Sequence, residues 1–210
     1  FRSEIEPGSA NYGNGRGMWG GIVVNGYAPI STTGGTNNVE GLTGIAYGGN
    51  DPDDHSGVIR SARVWNGGAV VGSDNELNGI TLAGVGRGTT VEYCEVALNL
   101  DDGFEMFGGT VDLKYCVVYA QGDDAFDTDE GYQGRGQFLV SVLANDSDRA
   151  HEMDNRTNGD TDSQPRSHPK FMNVTVISDS AGHTNDNIKV REGTGGDFRN
   201  YVMYGGGGDG

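Results

Sequence analysis

Short apolar-polar-apolar triplets recur along the chain, and each predicts one β-strand. Most copies have an apolar residue at each end and a polar or charged residue in the middle. They are Ile80-Thr81-Leu82, Phe104-Glu105-Met106, Phe126-Asp127-Thr128, His151-Glu152-Met153 and Ile188-Lys189-Val190. Alternation with a period of two is typical of a strand that buries one face. We therefore expect the outer residues of each triplet to face a core and the middle residue to face solvent.

Longer stretches rich in β-branched and aromatic residues alternate with the triplets and predict a second set of strands. They run from Val58 to Trp65, Val91 to Val96, Leu113 to Val118, Phe138 to Leu143, Phe171 to Ile177 and Phe198 to Tyr204. A stretch, a polar corner and a triplet form a repeating unit, which predicts one coil of a solenoid. We expect an all-β fold of about six or seven coils. Parallel strands ~4.8 Å apart would then place equivalent residues in columns.

Two segments interrupt this rhythm, residues 31–56 and 155–169. Both are rich in Asn, Asp, Gly, Ser and Thr, so we expect loops that project from the coils. The whole chain, 1–210, is predicted to be a single domain. Its first residues and Gly205 to Gly210 look like the middle of a coil, whereas solenoid ends normally carry caps. We therefore expect the chain to be a segment of a longer protein.

The strand-corner-strand pattern resembles the right-handed parallel β-helix of pectate-lyase-like proteins. Several stretches between about Gly17 and Tyr204 resemble, more narrowly, a group of secreted or surface β-helix proteins of Gram-negative bacteria. These stretches are Trp19-Gly20-Gly21-Ile22-Val23-Val24-Asn25-Gly26, Glu76-Leu77-Asn78-Gly79-Ile80, Gly86-Arg87-Gly88-Thr89-Thr90-Val91, Asp101-Asp102-Gly103 and Lys189-Val190-Arg191-Glu192-Gly193. The resemblance implies a fold and a location outside the cell rather than a particular reaction.

The charge of the chain excludes several classes of partner. The net charge is −16 at pH 7, and there is no basic stripe to displace counterions from phosphates, which argues against nucleic acid. The same charge argues against an anionic membrane surface. No apolar run approaches the ~18 residues of a membrane span, and no signal peptide is present. Cations and basic partners remain compatible with this charge.

Cys94 and Cys116 occupy equivalent places in successive units, so their Cα atoms are expected to lie ~4.8 Å apart. This separation is within reach of a disulfide, but two side chains stacked on one face have poor torsions for one. We expect a column of buried, reduced thiols that pack as small apolar groups. A disulfide is the alternative.

The middle positions of the triplets predict an acidic column. Glu105, Asp127 and Glu152 should stack on the outside of one face, with Asp101, Asp102, Asp123 and Asp124 in the neighbouring corner. Two carboxylates 4.8 Å apart repel by roughly 1 kcal/mol in water and roughly 3 to 4 kcal/mol at an effective dielectric constant near 20. The corner aspartates can instead be turn residues that bind nearby backbone amides.

Calcium is the first functional hypothesis for this acidic region, since Ca²⁺ takes six to eight oxygen ligands. The predicted ligands are Asp101, Asp102, Asp123 and Asp124, and a second set in the loops, Asp51, Asp53 and Asp54, with Asp160 and Asp162 as further candidates. The spacing matches neither the twelve-residue EF-hand loop nor the calcium-binding nonapeptide repeat.

Catalysis is the second hypothesis, and it comes from the resemblance to polygalacturonase-type glycosidases. These enzymes share the coil and use three aspartates, a histidine and an Arg-x-Lys pair, which Asp102, Asp123 and Asp124, His151 and Lys189 would match. Asn187 stands where the family has arginine, and no Gly-His-Gly surrounds His151. By alternation, His151 is predicted to point into the core. Lys189, with Arg191, could be the base of a lyase, or Lys189 could simply neutralise Glu152 across one rung.

Aromatic residues offer a possible platform for stacking against sugars or, in the simpler alternative, pack the walls and corners. They are Tyr12, Trp19, Tyr27, Tyr47, Trp65 and Tyr132. The function most consistent with the sequence is an extracellular or cell-surface, outer-membrane-associated scaffold or binding protein that is stabilised by calcium. Its expected partners are polysaccharide or neighbouring copies of itself. The alternative is a polysaccharide hydrolase or lyase that works in the acidic groove.

Overall fold

The computed structural model describes residues 1–9, 13–72, 75–155, 159–178 and 182–206. In this part of the chain every regular element is a β-strand, so no helix is present that could cross a membrane. The composition explains this preference, because β-branched and aromatic residues fit a pleated, half-buried surface.

The described residues form nineteen strands. Their bounds are β1 Ile22–Asn25, β2 Asn37–Asn38, β3 Ala46–Tyr47, β4 Val58–Arg60, β5 Arg63–Trp65, β6 Val70–Gly72, β7 Asn75–Glu76, β8 Ile80–Ala83, β9 Thr90–Glu92, β10 Glu95–Ala97, β11 Phe104–Phe107, β12 Asp112–Lys114, β13 Val117–Tyr119, β14 Phe126–Asp129, β15 Arg135–Leu143, β16 His151–Met153, β17 Lys170–Ser178, β18 Ile188–Val190 and β19 Asp197–Tyr204.

The predicted triplets form one parallel sheet. Among the described residues it has six strands in the order β1-β8-β11-β14-β16-β18. Phe104 pairs with Phe126, Phe126 with His151, and His151 with Ile188. The predicted apolar column is therefore confirmed, and the Phe104 and Phe126 rings stack with centroids 5.3 Å apart. Six rungs are consistent with the expected six or seven coils.

The second sheet supplies the other two walls of the coil. One wall contains β4, β9, β12 and the first half of β15, and the other contains β5, β10, β13 and the second half of β15. The strands β17 and β19 continue both walls, and all these pairings are parallel. The protein is thus a parallel β-helix with three walls per rung.

The predicted stretches from Val91 to Val96 and from Leu113 to Val118 are not single strands, because each one bends at its tyrosine. Tyr93 has a φ of 54° and Tyr115 a φ of 56°, and Phe138 occupies the same place in β15 with a φ of 58°. A left-handed residue turns the chain from one wall to the next. Inward-facing and outward-facing side chains therefore alternate strictly within each wall, and a new alternation begins after the bend.

The core lies inside the coil and is apolar from rung to rung. Leu82, Met106 and Met153 are fully buried there beside the aromatic column. Cys94 and Cys116 are free and buried in the same core, in agreement with the predicted column of reduced thiols.

Residues 26–57 leave the first rung and fold back over the outside of the triplet sheet. The short hairpin of β2 and β3 lies in this segment, and Val39 and Tyr47 pack with Phe107 of β11 in a second, smaller apolar cluster. A second hairpin, β6 and β7, precedes β8. Residues 154–169 form the long connection from β16 to β17, within which 156–158 lie outside the described residues.

Candidate functional site

The outward-facing middle residues of the triplet sheet form a column. Thr81 pairs with Glu105, Glu105 with Asp127, Asp127 with Glu152 and Glu152 with Lys189. The predicted register is therefore correct. The prediction that these residues face solvent is wrong, because Glu105 is only 8% exposed and Glu152 only 9%. The sequence pattern shows which side of the sheet a residue occupies, but it does not show what lies over that side.

The segment 26–57 contributes to this burial by covering the outer surface of β8 and β11. Its Tyr47 ring lies 6.1 Å from the ring of Phe107. The Tyr47 hydroxyl and the Asn37 side-chain amide each donate a 2.7 Å hydrogen bond to the carboxylate of Glu130. Glu130 is 7% exposed. One buried carboxylate therefore fastens the loop to the coil.

The corner beside this column brings together the four aspartates predicted for calcium. The carboxylates of Asp101, Asp102 and Asp123 each offer an oxygen within 4.8 Å of the others. Asp123 and Asp124 form another such group with Asp148. Asp148 occupies the same corner one rung further along. The amide of Ala125 donates to the carbonyl of Arg149 as the amide of Gly103 donates to the carbonyl of Asp124, so Asp148 is the counterpart of Asp123.

A third group joins the corner to the column. Asp102, Glu105 and Asp127 offer carboxylate oxygens within 4.8 Å of one another. Asp102 is 4% exposed, and one of its oxygens accepts a 2.9 Å hydrogen bond from the backbone amide of Asp124. The predicted turn chemistry thus accounts for one oxygen of Asp102, and the other members of the group need a different explanation.

Burial and mutual repulsion raise the pKa of these acids. Burial, followed by the charge of Asp123, raises the pKa of Asp101 to about 7 and the pKa of Asp124 to about 8. Burial, followed by the charge of Asp127, raises the pKa of Asp102 and Glu105 well above the usual range. The pKa of Asp127 is raised in the same way, by burial and then by the charge of Asp124. Keeping all of these groups ionised in the folded protein therefore costs free energy.

Basic residues neutralise only one end of the column. Glu152 accepts ion pairs from Lys189 at 3.1 Å, from Arg149 at 3.3 Å and from Arg191. Arg191 also pairs with Asp154 at 2.7 Å. Lys189 thus neutralises Glu152 across one rung, which is the simpler of the two roles predicted for it.

The other end of the column has no such compensation. In the described ranges, no ion pair joins a lysine or arginine to Asp102, Glu105 or Asp127. Asp124 is 2% exposed, and its Oδ1 atom and that of Asp127 are buried without a hydrogen-bond partner in the part of the chain that the structure describes. A buried charged oxygen without a partner costs several kcal/mol relative to water.

The donor set fits a hard cation. All of the converging groups are oxygens, and the carboxylates of Asp102, Glu105 and Asp127 would supply three ligands. The amide of Asn78, which is 2% exposed, contacts Glu105 through Nδ2, while its Oδ1 has no partner among the described residues. Exchange of the two amide atoms would add a neutral oxygen ligand. Ca²⁺ and Mg²⁺ prefer such ligands, whereas zinc prefers His and Cys.

Only some of the residues predicted for catalysis are placed as a catalytic site would need them. Asp102, Asp123 and Asp124 do lie together, but Lys189 is held by Glu152. Each of the two groups that contain Asp123 has carboxylate oxygens within 4.8 Å, closer than the roughly 6.5 to 9.5 Å of inverting glycosidases. His151 points into the core and is fully buried, as predicted from alternation, and burial lowers its pKa to about 3.

The loop aspartates are not part of these groups. Asp53 forms a 3.2 Å ion pair with Arg87, and Asp54 accepts hydrogen bonds from the Ser56 hydroxyl and the Gly86 amide. Asp51 accepts a bond from the amide of Asp53. Asp160 similarly accepts from Asp162, which pairs with Arg166. Asp51 and Asp160 thus stabilise their own turns, as Asp commonly does, whereas Asp53 and Asp54 also join the loop to the corner that contains Gly86 and Arg87.

The predicted aromatic platform does not assemble. Tyr47 and Tyr132 are buried, Tyr27 is exposed, and Trp19 donates its indole N–H to the carbonyl of Trp65. Tyr12 lies outside the described residues. An aromatic column that the sequence reasoning missed forms instead at the bend, where the Tyr115 ring stacks on Tyr93 at 4.6 Å and on Phe138 at 5.1 Å. The repeated Tyr-Cys pair was the available signal.

Asp148 is the main site residue that the sequence reasoning missed. Its rung contains the triplet His151-Glu152-Met153, but Arg149 stands where the two preceding rungs have a second aspartate, so this corner lacks the Asp-Asp signature. Glu40 and Glu76 were missed too. They lie in the non-repeating loop and hairpin, and their charges help to raise the pKa of Asp101.

Comparisons with known proteins identify the family of the chain. The sequence model of the pectate-lyase like beta helix domain matches residues 8–208. Neither a curated protein nor a solved structure gives a significant match.

Proposed function

Because the chain belongs to the pectate-lyase-like β-helix domain family, we propose that it is a polysaccharide-associated scaffold outside the cell that is stabilised by calcium. Calcium would bind where the corner meets the acidic column, between Asp102, Glu105 and Asp127. Asp101, Asp123 and Asp124 would provide a second, more exposed position beside it.

One observation carries this proposal. Asp102, Glu105 and Asp127 are brought within reach of a single ion, and in the described ranges no lysine or arginine forms an ion pair with them. Where the same column does receive cations, at Glu152, three of them gather on one carboxylate. A divalent cation at the other end would complete the same pattern of neutralisation.

The scaffold role is supported by the cover over the triplet sheet. Residues 26–57 pack against β8 and β11 and leave the acidic column much less open than the groove of an enzyme that binds a polymer along this face. Calcium sites of extracellular modules have dissociation constants of about 10⁻⁴ to 10⁻³ M, so a location outside the cell would supply the ion. The family name associates the fold with polysaccharides, and neighbouring copies of the chain are the other proposed partner.

Calorimetry and thermal unfolding test this proposal. We expect calcium to raise the melting temperature of protein treated with EDTA, and Asp127→Asn to weaken calcium binding at least about tenfold. Glu92→Gln is the matched control, because it removes one charge from an ion pair with Arg60 elsewhere on the coil. A melting temperature that does not respond to calcium or EDTA at pH 8 would exclude the calcium site.

The raised pKa of Asp124 favours one second candidate, a polysaccharide hydrolase or lyase. With a pKa of about 8, Asp124 would be protonated at neutral pH and able to serve as a general acid. In that case the protein would release reducing or unsaturated ends from an acidic polysaccharide, and Asp124→Asn would abolish the release. Absence of any release across a polysaccharide panel at pH 5 to 9 would leave the scaffold role alone.

A further inference from the structure

A groove on a different wall of the coil concentrates positive charge on this acidic protein. It has a volume of about 600 Å³, and five of its nine lining residues are basic. The basic residues are Arg87, Arg135, Arg166, His168 and Lys170, and Thr110, Asp112, Gln133 and Gln164 complete the lining. The whole chain has only 14 lysines and arginines against 30 aspartates and glutamates, so this concentration needs an explanation.

The ladder of the sheet produces the basic wall. Asp112, Arg135, Lys170 and Asp197 face outward at equivalent positions of β12, β15, β17 and β19. A neighbouring outward column contains Arg60, Lys114 and Arg199. A smaller groove of about 320 Å³, lined in part by Lys114, Arg135 and Lys170, adjoins the first. Three of these cations, Lys114, Arg135 and Lys170, thus lie around two connected grooves rather than scattered over the surface.

Four of the five basic residues have a carboxylate partner, which is Asp162 for Arg166 and Asp197, at 3.8 Å, for His168. Some of the cationic groups nevertheless keep donors for a ligand. Arg135 binds Asp112 through Nε and Nη2, and Arg87 binds Asp53 and the carbonyl of Pro52 through Nε. Within the described ranges, Nη1 of Arg135 and both terminal nitrogens of Arg87 make no hydrogen bond. The Lys170 ammonium group likewise has no ion pair in that part of the chain. The Arg135–Asp112 pair is exposed, with 67% of the arginine side chain open to solvent, and such pairs contribute little to stability.

We propose that this groove binds the oxyanion groups of a polar ligand, either a free tetrahedral anion or the sulfate ester of a saccharide. Guanidinium groups match sulfate and carboxylate oxygens with paired N–H donors, and Lys170 adds a point charge. Gln133 and Gln164 each donate an amide N–H to a backbone carbonyl, and among the described residues their Oε1 atoms have no hydrogen-bond donor, so these oxygens can accept from sugar hydroxyls. This site is independent of the calcium proposal, because it shares no residue with the acidic column or its corner.

Titration of the intact chain tests the groove. The probes are inorganic sulfate, a short sulfated oligosaccharide and the same oligosaccharide without sulfate, each added in EDTA and in calcium. We expect a sulfated probe to shift the backbone amide NMR signals of Thr110, Gln133 and Gly134, and to leave Gly103 beside the acidic corner unchanged. Binding of inorganic sulfate alone would identify a free anion as the ligand, and preference for the sulfated saccharide would identify the ester.

Charge-matched variants decide whether binding is specific to the groove. Arg135→Gln combined with Lys170→Gln should weaken binding at least about tenfold, because each removes a charge-assisted bond. Arg2→Gln combined with Arg63→Gln removes the same number of charges from exposed side chains that line neither groove, and it should change binding less than about twofold. Equal weakening by both sets would show a general effect of charge and would overturn the proposal. Failure of all three probes to bind would overturn it as well, whatever the effect of calcium.

Discussion

Glu105 and Asp127 lie side by side in parallel strands and face away from the core, and Glu105 is buried while Asp127 is half-buried. They are direct ladder partners in β11 and β14. The charges of both help to raise the pKa of Asp102, and the charge of Asp127 also helps to raise the pKa of Glu105. In a β-helix the rung spacing fixes the separation of such a pair, so the repulsion cannot be relieved by moving the strands apart. It must be relieved by a proton or a cation, and the first two predictions follow from this constraint.

The stability of the calcium-free protein should fall as the pH rises from 6.5 to 8. The pKa of Asp101 and Asp129 is raised to about 7 and that of Asp124 to about 8, from 3.8. The folded state therefore keeps protons that the unfolded chain has released, and each group contributes a loss of up to about 1.4 kcal/mol per pH unit in this window. Urea unfolding in EDTA at several pH values measures this loss in the free energy of unfolding. Stability that rises over this range would contradict the raised pKa values.

Asp127→Asn should stabilise the calcium-free protein and destabilise the calcium-bound one. The change removes one of two neighbouring buried charges, which we expect to be worth about 1 to 3 kcal/mol without calcium at pH 8. With calcium it removes a ligand. Thermal unfolding in EDTA and in calcium gives the sign of the change in the free energy of unfolding under each condition. The exposed-pair variant Glu92→Gln should change this free energy by less than about 1 kcal/mol under either condition. Destabilisation by Asp127→Asn in both conditions would show a purely structural role.

His151→Leu should protect the protein against acid. His151 is fully buried against the rings of Phe126 and Phe171, at 5.6 and 5.1 Å, and burial lowers its pKa to about 3. Below pH 6.5 the unfolded chain gains a proton that the folded core refuses, so the wild type loses up to about 1.4 kcal/mol per pH unit. The difference in the free energy of unfolding between the variant and the wild type should increase in favour of the variant as the pH falls from 7 to 4.5.

The control for that experiment is Phe104→Leu in the same core, two rungs away from His151. It removes a ring without removing a titrating group, so its effect on the free energy of unfolding should be the same at both pH values. A gap between His151→Leu and wild type that stays constant with pH would show that the histidine is protonated in the folded core.

Tyr115→Ala should be more destabilising than Tyr115→Asn. Both variants lose the stacking on Tyr93 and Phe138, worth roughly 0.5 to 1.5 kcal/mol for each contact. Tyr115 has a φ of 56°, and Asn adopts this left-handed region more readily than Ala does. We expect a difference of about 0.5 to 1 kcal/mol between the variants in urea unfolding. Equal losses would show that the bend imposes no such preference.

The repeating part of the chain was predictable, because each rung repeats the same local problem. The pairing of Phe104 with Phe126 and the buried orientation of His151 follow from a period of two and a recognisable corner. The corner aspartates follow from the same alignment, and the structure brings Asp101, Asp102 and Asp123 together as expected.

The non-repeating part was not predictable from these rules. The burial of Glu105 owes much to the docking of residues 26–57. The bonds of Tyr47 and Asn37 to Glu130 and the packing of Val39 and Tyr47 against Phe107 hold that segment in place. The local sequence does not indicate contacts between residues so far apart in the chain. The basic groove was missed for a related reason, because Arg135 and Lys170 become neighbours only once the rungs stack.

The acidic column lies on the triplet sheet, and the basic groove around Arg135 and Lys170 lies on a different wall of the coil. Such a separation gives the molecule an electric dipole directed across its width rather than along its length. Near any charged surface the resulting torque would lay the solenoid on its side, with one wall turned consistently toward that surface. The stacking that builds the fold thus also determines how the molecule is oriented in a field.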